Sequence, residues 1–412
     1  MSNAKHNTIS YNSDTLKLLT FFEWALALFL VLNGNTVYRA NQSMDYPILF
    51  ICVSLFFVVW IATKFIVREK RFNSYSIIVF VACSFFLIVT GYNIILFFLV
   101  YIICFPLLID YFCLCFRINR IPSLFCKLSQ LIVLLTIASL VLWYLGPLTK
   151  QISENCEIRI LWEHMMTVKG YWWLLFKSQV EDGTYIAYEK VWRNSSIFTE
   201  APMFNLWLCV SLVTELFLRK KMRIFNVIIL IGGVASTYST TGIMCVILLI
   251  VLFVYNRIHL LGKKIKIPFV LKLVIIIVGV YYGYILASQV LSMKEESTSY
   301  SSRLRDYEMS FSMFRSNPIF GIGFGNQNRN TMGYSNSIVT LLGQGGLWLT
   351  LIVYSPIIAG IVKGYRESKY TFIGLALFFI FISTNTVFHN RCVFLLIPAL
   401  FYAYLKQKKS YE

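Results

Sequence analysis

Apolar runs of about 20 residues recur down the whole chain, the length an α-helix needs to cross a hydrocarbon core of roughly 30 Å. Lipid offers no partner to a backbone N–H or C=O, so only helices or a closed barrel can span it. A barrel would alternate apolar and polar residues in segments of about 10, and that alternation is absent. Hydrophobic residues make up 58% of the 412 and charged residues 14%, against about 25% charged in soluble domains. The expected fold class is an all-α polytopic integral membrane protein, forming a single membrane domain over residues 1–412.

We place about twelve spans, at roughly 16–33, 47–67, 75–90, 94–116, 128–146, 201–218, 224–238, 241–256, 268–290, 335–362, 371–387 and 391–405. With both termini cytoplasmic, the inner connections are Arg68-Glu69-Lys70-Arg71, 117–127, Arg219-Lys220-Lys221-Met222-Arg223, 257–266, 363–369 and the tail 406–409, and every one is basic. The short outer turns near Tyr92, Tyr238 and His389 carry a single basic residue between them, Arg391. A net charge of +18 is therefore topological in origin, and nucleic acid is not an expected partner. The polar amino terminus (Asn3, Lys5, His6, Asn7) and the lack of a small-residue cleavage site after the first run lead us to expect that this run stays as a span. Glu23 lies inside it, near enough to the cytoplasmic end to pair locally.

Of ten cysteines only Cys156 falls in an outer loop, without an outer partner, so no structural disulfide is expected. The four histidines (His6, His164, His259, His389) are scattered, no cysteine has zinc-site spacing, and no metal is expected.

Two large outer loops, 147–200 and 292–334, also carry arginines, which topology does not require because long loops cross largely regardless of charge. The first is rich in aromatics (Trp162, Tyr171-Trp172-Trp173, Tyr185, Tyr188, Trp192), suited to lying at the bilayer interface or to stacking on sugar rings. It closes with Arg193-Asn194-Ser195-Ser196-Ile197-Phe198-Thr199-Glu200-Ala201-Pro202. Thr199 is expected to cap the sixth span, with Glu200 and Pro202 in its first turn; Glu200 then complements the helix dipole, whereas Arg193 has no such structural reason. In the second loop an amphipathic helix is expected over about 303–315, with Arg303, Arg305, Glu308 and Arg315 charged and Leu304, Tyr307, Met309, Phe311 and Phe314 apolar. Asn317-Pro318 stops it, and Gly321-Ile322-Gly323-Phe324-Gly325 follows. That glycine turn either packs tightly at a helix mouth or brings backbone to a phosphate.

Arginine keeps its charge and offers a planar fork of donors that fits phosphate. Arginines on one side of a bilayer suit an anionic substrate at that surface. If a sugar–phosphate bond breaks there, they can stabilise the charge that builds on the departing phosphate without a metal. The acceptor hydroxyl needs a nearby base. The two loops hold no Asp-x-Asp pair, in keeping with metal-free chemistry.

These segments resemble the O-antigen polymerase and O-antigen ligase superfamily, most closely the Wzy-type polymerases. Arg193–Pro202 is similar to the family's Arg-x-x-Gly-x-Phe-x-Glu-x-Pro pattern, and Thr237-Tyr238-Ser239-Thr240-Thr241-Gly242 to its Thr-x-Ser-x-x-Gly turn. Arg303 with Asn317-Pro318-Ile319-Phe320-Gly321-Ile322-Gly323 resembles its Arg…Pro-x-Phe-Gly-x-Gly signature, and Asn336 with Gly343, Gly345 and Gly346 its His-Asn…Gly-Gly region. The family glycine two after Asn194 is Ser196 here, and the ligases' histidine is Ser335.

The resemblance implies metal- and cofactor-free transfer of a glycan from undecaprenyl diphosphate to an acceptor sugar at the outer face of a bacterial inner membrane. The implied partners are the lipid-linked glycan and membrane lipid, with a chain-length regulator as a candidate. The missing histidine favours polymerase over ligase. We expect Arg193, Arg303 and Arg305 to bind the diphosphate, Arg303 and Glu200 to act in catalysis, and Gly321, Gly323 and Asn336 to position the loop and acceptor. His164 and His389 are rival bases. A lipid-linked glycan flippase is the alternative from another class, disfavoured because no internal repeat is evident and the charges lie in loops rather than mid-span.

Overall fold

The computed structural model describes residues 13–41, 44–90, 95–145, 153–159, 165–172, 175–178, 185–186, 189–190, 193–262, 298–324, 336–385, 388–389 and 391–407. In chain order the helices are α1 (Ser13–Leu32), α2 (Val37–Asn41), α3 (Asp45–Val67), α4 (Ser74–Thr90), α5 (Ile95–Phe97), α6 (Phe105–Arg117), α7 (Pro122–Leu145), α8 (Ala201–Val213), α9 (Ile224–Ser236), α10 (Thr240–Gly262), α11 (Thr298–Ser316), α12 (Ser337–Arg366), α13 (Tyr370–Asn385) and α14 (Cys392–Lys406). A π-helical turn, Phe98–Cys104, joins α5 to α6, and a second, Thr214–Leu218, extends α8.

Eleven of the twelve predicted runs coincide with helices, and the run at 268–290 lies outside the described residues. Among the described residues six helices are long and apolar enough to cross a membrane by length and composition, and five shorter apolar helices accompany them. The chain is a helical, multi-pass membrane protein. The bundle interior is aromatic and aliphatic, with Trp207, Tyr101, Phe105, Phe112 and Phe204 fully buried.

Three carboxylates are buried among these helices, each held by donors from a neighbour. Glu23 of α1 accepts from Arg120 at 2.7 Å and from Lys127 and Ser123 at 2.6 Å, with Tyr111 at 2.9 Å on its other oxygen. Asp110 of α6 accepts from the Trp60 indole at 2.7 Å and the Asn73 amide at 2.9 Å, with Lys64 at 3.4 Å. Glu215 accepts from Ser129 and Asn226 and pairs with Arg219 at 2.8 Å. An ion removed from water needs this full set of partners. Glu23, expected to pair locally, is paired, but with residues 88, 97, 100 and 104 positions away in sequence. The connections predicted to be basic and inner also meet one another: Arg117 pairs with Glu69, Lys406 donates to Asn73, and Lys363 donates to the carbonyls of Tyr404, Leu405 and Gln407.

An all-α reading needs one correction. The segment predicted to be the first outer loop contains an antiparallel sheet of β1 (Ser153–Arg159), β2 (Met165–Tyr171), β3 (Leu175–Ser178) and β6 (Arg193–Ser196), in that order, and a small hairpin of β4 (Tyr185–Ile186) and β5 (Glu189–Lys190). The segment mixes β-branched, aromatic and charged residues, and side chains alternating across a strand can bury one face of such a mixture. Cys156, Val168 and Phe176 form the buried face, with Val37 of α2 packed against them. Tyr171 is buried and Trp172 exposed, so neighbouring aromatics in this loop have different surroundings. Among the described residues Cys156 forms no disulfide.

Candidate functional site

The site is built from three backbone segments that meet at one end of the bundle. The first is β6 with the start of α8. Ser196 sits where the family pattern has glycine, and its φ is +51°, in the left-handed region that favours glycine. The turn is held by Asn194: its Oδ1 accepts from the Ser196 amide at 3.1 Å, and its Nδ2 donates to Ser139 at 3.2 Å and Ser236 at 3.0 Å. The Ser196 hydroxyl is buried with no hydrogen-bond partner among the described residues. Ser196→Gly is therefore expected to raise stability by about 1 kcal/mol, read as a higher unfolding midpoint of the purified protein.

Arg193 Nε donates to the Thr237 carbonyl at 2.9 Å, so the first arginine motif is tied to the turn between α9 and α10. Gly242, at the end of that turn motif, packs against the Asn205 side chain of α8. The helix cap differs from expectation. Glu200, with φ −144° and ψ 151°, is the N-cap residue of α8, and its side chain makes no capping bond. Thr199 instead binds backward, its amide and hydroxyl donating to the Asn35 carbonyl at 3.1 and 3.3 Å. The reason is steric economy: the 33–37 stretch crosses directly beneath, and Val37 and Ile197 also share a backbone bond of 3.0 Å.

The second segment is the glycine turn. α12 is broken at Gly346, whose φ/ψ are 59° and −163°. The Pro318–Gly323 turn fits into that break. Ile322 and Gly323 donate to the carbonyls of Gly343 and Gln344 at 3.1 and 2.9 Å, and Leu347 and Trp348 donate back to Pro318 and Ile319 at 2.9 and 3.0 Å. Each side satisfies the helix-end groups that the other leaves open. The Gly321 amide donates to Asn317 at 2.7 Å. Three successive N–H groups are thus committed inside the protein, which favours the packing reading of this turn over a phosphate cradle. A Cβ on Gly321 (φ +64°) would lie 2.6 Å from the carbonyl oxygens of Gly343 and Gln344. Gly321→Ala is expected to cost more than about 2 kcal/mol, seen as a lowered unfolding midpoint or loss of monodisperse protein.

α11 is fixed by the same half of α12. Asn336 is the N-cap of α12: its Oδ1 accepts from the Ile338 and Val339 amides at 2.8 and 3.2 Å, and its Nδ2 donates to the Tyr307 hydroxyl at 2.7 Å. Gly343 admits Ser310 of α11 to close approach. The helix is longer than the expected 303–315, and among its described side chains Ser310 is buried while Phe311 is exposed. Arg303 stands one turn before Tyr307 in α11. Arg305 is exposed.

The third segment, 388–392, joins the other two. Phe388 donates its amide to Ser337 Oγ at 2.8 Å, and His389 Nε2 lies 3.1 Å from Gln344 Oε1. On the other side the Cys392 amide contacts Asn33 Oδ1 at 3.4 Å, two residues from the Asn35 carbonyl that holds Thr199. Burial, with the charge of Arg391 beside it, pushes His389 down to about 3. A histidine so weakly basic is poorly matched to proton abstraction near neutral pH.

Residues 225–354 match the family model described as O-Antigen ligase (Wzy_C). No curated protein and no solved structure matches the chain. The matched stretch covers less than half of the chain and supports the O-antigen polymerase/ligase superfamily, without separating polymerase from ligase. It takes in the 237–242 turn, α11, the glycine turn and the break in α12; Arg193 and Glu200 precede it and His389 and Arg391 follow it. The O-antigen ligase-family stretch thus supplies one wall of the site, and the flanking segments dock against it.

His164, Gly325 and Ser335 lie outside the described residues. Among the described residues no group of three or more His, Cys, Asp or Glu side chains could hold a metal. Sequence reasoning passed over Arg39 and Arg391. Arg39 is buried on α2, its guanidinium 2.6 Å from Asn35 Oδ1, and Arg391 is buried as the N-cap residue of α14. One signal was present: Arg391 is the single basic residue of the three short turns near Tyr92, Tyr238 and His389 predicted to be outer.

Proposed function

We propose that this chain is a glycan-transfer enzyme that polymerises undecaprenyl-diphosphate-linked oligosaccharide repeat units at the periplasmic face of the bacterial inner membrane. The observation that carries this reading is the joining of the Arg193–Glu200 segment to the α11–α12 segment through residues 388–392. Motifs about 100 residues apart in sequence meet at one end of a membrane bundle, the end bearing the arginines. In this reading Arg303, Arg193 and Arg305 take the diphosphate, whose negative charge grows as the sugar leaves. Glu200 stands at the positive end of α8 and accepts the proton of, or orients, the acceptor hydroxyl. The basic connections at the opposite end are cytoplasmic, with both termini.

Ligation of the glycan to lipid A–core is the second reading, favoured by the description of the matching family. Purified protein given a synthetic undecaprenyl-diphosphate repeat unit separates them. A ladder of lengthened products supports polymerisation. Transfer only when lipid A–core is added supports ligation, and no transfer to either acceptor overturns glycan transfer.

A further inference from the structure

The connection between α8 and α9 gathers four cations in five residues, Arg219-Lys220-Lys221-Met222-Arg223. These residues line an open concavity of about 490 Å³. Arg219 follows the π-helical turn in extended backbone, and Arg223 enters α9 as its N-cap residue. Lys220, Lys221 and Arg223 are exposed.

Basic residues are expected in this connection from topology, yet the cations of the basic connections are used differently. Arg117 pairs with Glu69, Lys369 pairs with Glu367, and Lys363 donates to three carbonyls. In the 219–223 connection Arg219 pairs with Glu215, an acid that also holds Ser129 and Asn226. Among the described residues Lys220, Lys221 and Arg223 form no ion pair. Arg223 stands where the α9 dipole disfavours a cation, and its side chain makes no capping bond. The first-turn amides of α9 have no intrahelical acceptor. An anion in the concavity would meet the lysines, Arg223 and the helix end together.

The start of α9 favours a lipid over a soluble phosphate compound. Ile224 and Phe225 are 64% exposed and Ile228 is 62% exposed, and spacings of four and three residues put all three on one face. A cationic pocket that continues into an outward apolar face matches a phosphate headgroup joined to acyl chains.

We propose that the 219–223 connection binds the headgroup of an anionic phospholipid, whose acyl chains lie against Ile224, Phe225 and Ile228. The site is separate from the arginine motifs. Glu200 stands at the start of α8, and Arg193 bonds Thr237 at the far end of α9, whereas 219–223 joins the opposite ends of these two helices. Lipid binding there goes beyond glycan transfer and is read without turnover.

The test uses the full-length protein in dodecyl maltoside micelles, with bound lipid counted by native mass spectrometry. Phosphatidylglycerol is the probe, phosphatidylcholine the zwitterionic control and glycerol 1-phosphate the headgroup alone. We expect phosphatidylglycerol to bind about tenfold more tightly than phosphatidylcholine, and Lys221→Gln with Arg223→Gln to abolish that preference. Lys70→Gln with Arg71→Gln removes two exposed charges from another basic connection and is expected to leave binding within about twofold of wild type. Should the 221/223 double variant not elute as a single species, Lys220→Gln and Lys221→Gln singly decide, with about fivefold weakening expected of each. Folded variants of the 219–223 connection that bind phosphatidylglycerol within about twofold of wild type overturn the inference. An equal loss in the Lys70 and Arg71 control also overturns it, because diffuse charge then accounts for the binding. Glycerol 1-phosphate that binds as tightly as the lipid overturns the lipid assignment in favour of a soluble phosphate ligand. The glycan-transfer reading stands or falls independently of these outcomes.

Discussion

If the proposed polymerase reading holds, Arg303→Ala is expected to abolish chain lengthening while the protein still inserts and accumulates. The expected loss is about 10²–10³-fold in rate, the size seen when one donor to a developing oxyanion is removed. Arg303 occupies α11 one turn before Tyr307, and the Tyr307–Asn336 and Ser310–Gly343 contacts clamp that helix to α12. A clamped backbone lets a guanidinium meet a diphosphate without first being ordered. Arg305, exposed on the same helix, is expected to lose less on conversion to alanine. Polysaccharide length on a gel, with membrane abundance measured in parallel, reads the outcome. Normal long chains from Arg303→Ala, Arg193→Ala and the double variant would sink the arginine mechanism.

The second large effect is structural. Glu23→Ala leaves Lys127 and Arg120 beside an empty space inside the bundle, with Ser123 and Tyr111 also losing an acceptor. Breaking a buried pair by removing one partner costs about 3–5 kcal/mol, because the remaining charge stays out of water. Unfolding of the purified variant, followed by intrinsic fluorescence, should show that loss. Asp14→Ala is the control: Asp14 and Lys17 form an ion pair whose side chains are 79% and 78% exposed, and its removal should leave the midpoint unchanged. If Glu23→Ala and Asp14→Ala unfold alike, the three-helix knot contributes no stability.

Much of the fold is legible in the sequence because lipid imposes one rule on every segment. Apolar length marks the helices, and basic residues mark the connections that meet around Asn73, Glu69 and Tyr404. The sheet in the first outer loop is less legible. Strands β1 to β3 alternate only briefly, and Gly170 leaves room for the Cys156 thiol, its diagonal neighbour across the β1–β2 pair, a fit that spacing does not carry. The glycine turn can be seen in sequence, but its partner cannot. Only the backbone shows that the two turns interlock: a Cβ on Gly321 would meet the Gly343 and Gln344 carbonyls, and one on Gly346 would meet Ile319 and the Gly321 amide. Ser196 is legible as a departure from a pattern, and its positive φ explains what the pattern's glycine is for. Arg39 and Arg391 belong to no motif, and their burial is a property of the folded chain that spacing does not carry.

The Glu23 knot has a consequence for biosynthesis. Its acid lies 104 residues ahead of Lys127. At ribosomal speeds of 5–20 residues per second, the first span waits about 5–20 s before its counter-ion is made. During that interval a lone carboxylate must sit in the translocon or at the lipid headgroups, so α1 reaches its final depth only after α7 has been synthesised.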